Sequence, residues 1–364
     1  MHKNIDHAGW ALTPSCDIFA RRIFKPLPPK AEAIKLIHTA FQAFSSAFPI
    51  FDQSSFLKMV AYSDNDFHDP GWWACVNVML ALAHRFEALR SGNSRAADRE
   101  AWGYFQNALS VSTELTMLHS HLTSVQALLG MAVIVQGTPN TSPLTHLLSA
   151  AMKIAHDMRL HRREQDPGLS PAELELRKQV FWTAYFLDKD LSLRTGNPPN
   201  QDDDEMDVDL PFQDRRETWY GATEGVDFFH HRIRLACIQG QVYNRLCSIK
   251  ASRQSISQRA YAVREIESIL HTWKATVPIE FDDEYYQPTL DAPYLMPAMH
   301  IVNLRLSYFT TLNTIHRYIE TVHEIQSDPN LKHVLPPPIT CVVEARKAIQ
   351  LLHITPRGDH ACIW

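Results

Sequence analysis

Residues 142–199 carry helix punctuation at both ends of two consecutive segments, and no other stretch constrains the fold as strongly. Ser142-Pro143 opens the first with a hydroxyl N-cap and a proline at the first helical position, where its missing N–H costs nothing. Leu144, Leu147, Leu148, Ala151, Ile154, Ala155 and Met158 then recur at three- and four-residue steps, so one face is apolar. Ser170-Pro171-Ala172-Glu173 opens the second segment as a capping box. Its apolar residues (Leu174, Phe181, Trp182, Ala184, Tyr185, Leu187, Leu191) cover more than one face, which predicts a helix buried on several sides. Gly196 stops it, and Pro198-Pro199 cannot continue it.

The same spacing runs through the rest of the chain. From Lys30, the residues Ile34, Ile37, Phe41, Phe44 and Phe48 predict an amphipathic helix ended by Pro49. Asp69-Pro70 begins another, with Trp73, Val76, Leu80, Ala83 and Phe86 inward. Trp102, Phe105, Leu109 and Ser112 mark a further helix. Leu122, Val125, Leu129, Ala132 and Val133 mark a nearly all-apolar helix closed by Gly137 and Pro139. Downstream, residues 226–251 read as one helix with Phe229, Ile233, Ala236, Gly240, Tyr243 and Leu246 inward. A glycine inside a helix costs about 1 kcal/mol relative to alanine, so Gly240 is expected to allow a close approach. Helices through Ala262–Trp273, from Leu295 through Leu312, and over Cys341–His353 complete the series. With 45% hydrophobic residues and only 12 glycines, the fold class expected is all-α: a large array of packed antiparallel helices. Residues 1–29 read as an irregular, proline-rich lead or linker, and residues 30–364 as the helical domain.

A formal net charge of -5 and a pI near 6.4 exclude the basic stripe of a free-standing nucleic-acid binder. The six cysteines (Cys16, Cys75, Cys237, Cys247, Cys341, Cys362) are dispersed without a C-x-x-C pair, so no zinc site is expected within these residues. A reducing nuclear or cytosolic compartment fits that pattern. No apolar stretch reaches the length of a membrane span. His119 and His121 lie on different faces of any helix and have no third ligand nearby, which reads as a helix-start pair rather than a metal site. Arg159, His161, Arg162 and Arg163 follow the end of a helix, where cations complement the dipole; anion binding is the weaker reading of that cluster.

Beyond Pro199 the chain holds six acids in eight residues, Asp202 to Asp209. Within them, Asp203-Asp204-Glu205-Met206-Asp207 reads D-D-x-x-D and resembles the magnesium–diphosphate motif of all-helical terpenoid synthases. Its partner motif is incomplete: Asn244 and Ser248 have the spacing, but Arg245 and Ser252 stand where acids are needed. A solvated acidic loop is the stronger reading, and no enzyme is expected.

A longer pattern covers residues 147–211. The order Arg177-Lys178, Phe181-Trp182, Tyr185, Asp188, Ser192, Gly196, Pro198 and an acidic run ending in Asp-Val-Asp-Leu-Pro resembles the signature of the fungal-specific transcription factor regulatory domain. This is the middle homology region of zinc-cluster regulators. Lys189 and Asn197 stand where that family usually has arginine. The resemblance implies a nuclear regulator of metabolic or secondary-metabolite genes. Its partners would be the transcriptional machinery or another regulator, a small-molecule effector, and a second copy in a homodimer. DNA would be contacted only through an N-terminal zinc cluster that these residues lack, so zinc is expected only with such an element, and no cofactor within this chain. Family members usually continue with further helices, so the fold is expected to be truncated at Trp364. Trp182 and Tyr185 are candidates for lining an effector pocket, since each carries a polar tip on a large apolar body; core packing is the stronger reading. The alternative function is a stand-alone interaction protein that titrates partners.

Overall fold

The computed structural model describes residues 21–62, 69–91, 94–118, 120–136, 141–163, 168–212, 226–279, 281, 295–321 and 338–353. The chain forms α1 (Lys30–Phe44), α2 (Gln53–Tyr62), α3 (Pro70–Ser91), α4 (Ser94–Ser110), α5 (Ser112–Leu118), α6 (Leu122–Val135) and α7 (Ser142–Asp157). It continues with α8 (Pro171–Thr195), α9 (Phe228–Val242), α10 (Ile249–Ser252), α11 (Ile256–Thr276), α12 (Leu295–Thr321) and α13 (Pro338–His353). Among the described residues there is no β-strand, and the all-α array read from the sequence is the observed fold.

Local chemistry sets the boundaries. The Ser170 hydroxyl accepts from the Glu173 N–H while the Glu173 carboxylate accepts from the Ser170 N–H at 2.8 Å, a closed capping box at the start of α8. Ser255 and Gln258 repeat the device at α11. Asp69 accepts from the Trp72 N–H at 2.8 Å and opens α3. At α7 the cap lies one residue earlier than the sequence suggests: Thr141 occupies the N-cap, and no side chain caps the end. α1 stops at Phe44, where the Ser45 hydroxyl donates to the Phe41 carbonyl at 2.6 Å, so Phe48 lies past its end.

The core has two parts. α6 is buried at every position from Ser124 to Val135 and lies against α3 and α7, around which α1, α4 and α8 close. The second part is built by α9, α11 and α12 through Val242, Ile266, Leu270, Val302 and Phe309. The two meet where α9 crosses α8. Arg232 of α9 is buried between the rings of Phe48 and Phe186, its guanidinium 5.0 and 4.3 Å from their centroids. Burial lowers its pKa to about 10, opposed by the carboxylate of Asp190. His300 of α12 reaches across to α1, with Nε2 3.2 Å from the Ala43 carbonyl.

Two stretches add to or differ from the sequence reading. On α4 the inward residues are Ala101, Tyr104, Phe105 and Ala108, while Trp102 and Leu109 are 36% and 43% exposed. α3 and α4 lie so close that alanines face inward, and Trp102 covers the Arg85 guanidinium instead, 5.2 Å from its ring centroid. The helix expected over 226–251 is broken: after Val242 one π-helical turn spans Tyr243–Cys247, and Ser248 caps the short α10 through the Ala251 N–H. Part of the amino-terminal lead is docked rather than loose. Asn107 accepts from the Phe24 and Lys25 N–H groups at 2.7 and 3.2 Å and donates to the Lys25 carbonyl at 2.6 Å. Gly137, Pro139 and His119 lie outside the described residues.

Candidate functional site

Four of the residues the sequence pattern marks on α8, Trp182, Tyr185, Asp188 and Ser192, hold one feature. Gly196, at φ 75°, reverses the chain in the left-handed conformation that glycine adopts without strain. Pro198 and Pro199 then start a return segment, residues 197–212, which runs back along α8 toward its amino terminus. The Ser192 hydroxyl donates to the Asn197 carbonyl at 2.7 Å. Asp188 accepts three bonds, from the Asn200 N–H at 3.0 Å, the Asn200 side-chain amide at 2.7 Å and the Gln201 N–H at 3.0 Å. One turn further toward the amino terminus, the Tyr185 hydroxyl donates to Asp203 at 2.9 Å. Next, the Trp182 indole N–H donates to the Asp209 carbonyl at 3.0 Å. Glu175 accepts from the Phe212 N–H at 2.6 Å. Residues 175, 182, 185, 188 and 192 follow helical three- and four-residue steps, with the first step doubled, and 189 lies four beyond 185, so one face of α8 presents a ladder of polar groups to the return.

The centre of the ladder is an ion pair. Lys189 is 1% exposed; its ammonium lies 2.8 Å from Asp203 Oδ1 and donates to the Gln201 carbonyl at 2.6 Å. The ammonium also lies 5.0 Å from the Tyr185 ring centroid. The lysine thus makes an ion pair from the position where the resembled family usually has arginine. Burial, the neighbouring Cys237 and the Asp203 carboxylate together raise the Tyr185 pKa far above its ordinary value, so the phenol stays protonated as the donor. Gly240 of α9 lies directly over the pair: a Cβ there would come within 2.6 Å of Asp203 Oδ2. The close approach expected at Gly240 is therefore made by side chains of α8 and the return.

Trp182 and Tyr185 are both buried, with ring centroids 5.0 Å apart at 69°, and their polar tips are taken by the return. Phe181 is buried beside them, 5.8 Å from Trp182. Arg177 donates to the Met158 carbonyl at 3.0 Å and ties α8 to the end of α7. Asn197 and Pro198 are exposed at the turn.

The end of α7 grips the other side of the return. The His161 carbonyl accepts from the Asp207 and Val208 N–H groups at 3.1 and 3.3 Å. Arg163 donates its backbone N–H to Asp207 at 2.9 Å and pairs with Asp209 at 2.7 Å, while Arg162 pairs with Glu205 at 3.3 Å. The His156 ring nitrogen lies 2.7 Å from the Gln201 side-chain oxygen. Burial, then His156 and Arg162, hold the His161 pKa below its ordinary value. α7 itself ends in a Schellman turn: Leu160 N–H donates to Ala155 and Arg159 N–H to His156. Arg159 occupies the left-handed position with φ 56°, the place where glycine is the usual residue. Between this turn, the first turns of α8 and the return lies a cavity of about 100 Å³, lined by Arg159, Arg162, Arg163, Arg177, Lys178 and Asp209, with Leu160, Leu174 and Val208. Neither Trp182 nor Tyr185 lines it.

The D-D-x-x-D run does not sit on a helix face. Asp203–Glu205 form one 3-10 turn. Asp203 is held by Lys189 and Tyr185, Glu205 by Arg162, and Asp207 by the Arg163 N–H. Among the described residues no group of three or more His, Cys, Asp or Glu is disposed to hold a metal ion. Cys75, Cys237 and Cys247 are unbridged thiols on α3, α9 and the π turn, so these cysteines do not fit a zinc cluster. No described helix is long and apolar enough to cross a membrane.

The ladder members Asn200, Gln201, Glu175 and His156 were not singled out by sequence reasoning, and Asp209 only as part of the acidic run. Asn200, Gln201 and Asp209 contribute backbone groups, which leave no mark on residue type, while Glu175 and His156 contribute side chains.

The chain was compared with known proteins. Residues 38–275 match the model of the fungal specific transcription factor domain. An ABC-transporter-regulating transcription factor of Aspergillus oryzae is 41% identical over 96% of this chain and 41% of its own length. The Fusaridione A cluster transcription factor of Fusarium heterosporum is 35% identical over 82% of this chain and 56% of its own. The Activator of stress genes 1 of Saccharomyces cerevisiae is 23% identical over 89% of this chain and 34% of its own. The chain thus spans between about a third and somewhat over half the length of these curated relatives. No solved structure matches it. The match over residues 38–275, which contains the whole ladder of α8 and its return, identifies the chain as a member of the fungal specific transcription factor domain family.

Proposed function

We propose that this chain is the regulatory body of a nuclear fungal transcription factor controlling genes of transport or secondary metabolism, with the docked return acting as its conformational switch. The relatives' names support the class of target: one regulates ABC transporters and another a metabolite cluster. The net charge of -5 argues for DNA contact by another part of the protein, and a zinc cluster is the element that the family supplies. The partners proposed are the transcriptional machinery or a second regulator.

One observation carries the switch: the signature residues of α8 are spent on holding residues 197–212, rather than on filling the core alone. A segment fixed by discrete polar bonds can be docked or released, and a partner that prefers one state shifts the population between them. Each neutral bond contributes about 1 kcal/mol net, and those to charged groups about 2 kcal/mol, so losing a few of them weakens the docked state.

The test is a fusion of residues 1–364 to an unrelated DNA-binding domain upstream of a reporter in a filamentous fungus. The fusion is expected to change reporter output, and Asp188→Ala is expected to alter that output at equal protein level. A fusion inert under every growth condition would remove the regulatory reading. An active fusion indifferent to Asp188→Ala would remove only the switch.

A further inference from the structure

Five cationic side chains converge on the cavity at the end of α7: Arg159, Arg162 and Arg163 from the turn, and Arg177 and Lys178 from α8. One carboxylate, Asp209, joins them in the lining. Arg162 and Arg163 are paired with Glu205 and Asp209 at the exposed rim, and the lining still carries more cationic than anionic groups, an excess that a bound anion would offset. Leu160, Leu174 and Val208 form the apolar remainder of the wall.

The backbone supplies a second, independent observation. Arg159 holds the left-handed position of a complete Schellman turn, at φ 56°. Glycine would close that turn without strain, and an L side chain closes it with strain. Strained residues of this kind persist where their side chain is needed. Compared with glycine, Arg159 adds a cation at the negative end of the α7 dipole and a guanidinium in the cavity wall.

We propose that this cavity is a binding site for a small oxyanion bearing a phosphoryl group. Guanidinium groups recognise phosphate through paired, charge-assisted hydrogen bonds, and a lysine adds a point charge. The Asp209 carboxylate, 2.7 Å from Arg163, is the internal competitor for that position. A volume of about 100 Å³ takes a phosphoryl group with a short carbon body. The site is read from charge and geometry, and it stands or falls independently of the regulatory role proposed above.

The experiment is calorimetric titration and thermal unfolding of the full chain with inorganic phosphate and with 3-phosphoglycerate, against sodium chloride at matched ionic strength. Phosphate or its ester is expected to raise Tm and to give a saturable heat that chloride does not. Comparable affinities point to free phosphate as the ligand; a tenfold preference for the ester points to a phosphorylated metabolite. Arg159→Gly removes a cation and the strain together, so its unliganded Tm is expected at or above that of the parent while its affinity falls at least tenfold. Lys178→Gln, which leaves the turn untouched, is expected to weaken binding as well. Asp209→Asn keeps the carbonyl that accepts from Trp182 and is expected to tighten binding several-fold. The proposal is overturned if neither ligand acts beyond chloride, or if Arg159→Gly and Lys178→Gln bind as the parent does.

Discussion

The Lys189 ammonium lies 2.8 Å from the Asp203 carboxylate, but the two partners are unequally buried: the lysine side chain is 1% exposed and the aspartate 30%. That asymmetry decides which deletion costs more. Asp203→Ala leaves a buried ammonium without its counter-ion and is expected to destabilise the fold by about 4 kcal/mol. Lys189→Met leaves a carboxylate that water can reach and that still accepts from Tyr185, and is expected to cost about 2 kcal/mol. Urea denaturation of the two variants checks the order.

Gly240→Ala should be destabilising even though alanine is the better helix former by about 1 kcal/mol. The new Cβ would stand 2.6 Å from Asp203 Oδ2, and the return would have to move to relieve it. A net loss of about 2 kcal/mol is expected, with Lys189 and Asp203 driven apart. Placing both changes in one chain tests the coupling: Gly240→Ala should cost less in the Asp203→Ala background, because the atom it strikes is gone.

His300 makes stability depend on pH. Burial, reinforced by Arg232 and opposed by the Ala43 carbonyl, lowers its pKa to about 4. The unfolded chain takes up this proton near pH 6.5 and the folded chain only near 4, so between those values the unfolded state binds more protons. The contribution is full above pH 6.5 and is lost as the pH falls toward 4, by about 3 kcal/mol at most. His300→Gln should flatten the stability profile in that window.

The sequence revealed what is local and concealed what is made by backbone at a distance. The Ser170 capping box and the Gly196 stop were both legible, because each needs only residues within one turn of the helix end. The Schellman turn after α7 was not, since Arg159 stands where a glycine would have announced it. The apolar spacing marked α4 without giving its inward face, because Trp102 and Leu109 weigh more in any apolar pattern than the alanines that lie against α3. The acidic run was read as a solvated loop. Its exposed acids, such as Asp202 and Asp204, fit that reading, while Gln201 and Pro211 in the same segment are buried. Several docking partners are main-chain groups, at Asn200, Asp209 and Phe212, 12 to 37 residues away from their α8 contacts, and residue identity carries no trace of those.

Amide hydrogen exchange of residues 197–212, in the parent and in Asp188→Ala, tests the central claim most directly. Asp188 accepts both the Asn200 and Gln201 N–H groups, and the substitution removes their acceptor without touching the caps of α8. The account predicts slow exchange at Asn200, Gln201, Asp207 and Val208 in the parent. In the variant, exchange should accelerate at least tenfold across all four, while amides in the middle of α6 are unchanged. Equal exchange of the four amides in both proteins would contradict the claim that the signature residues of α8 hold the return in place.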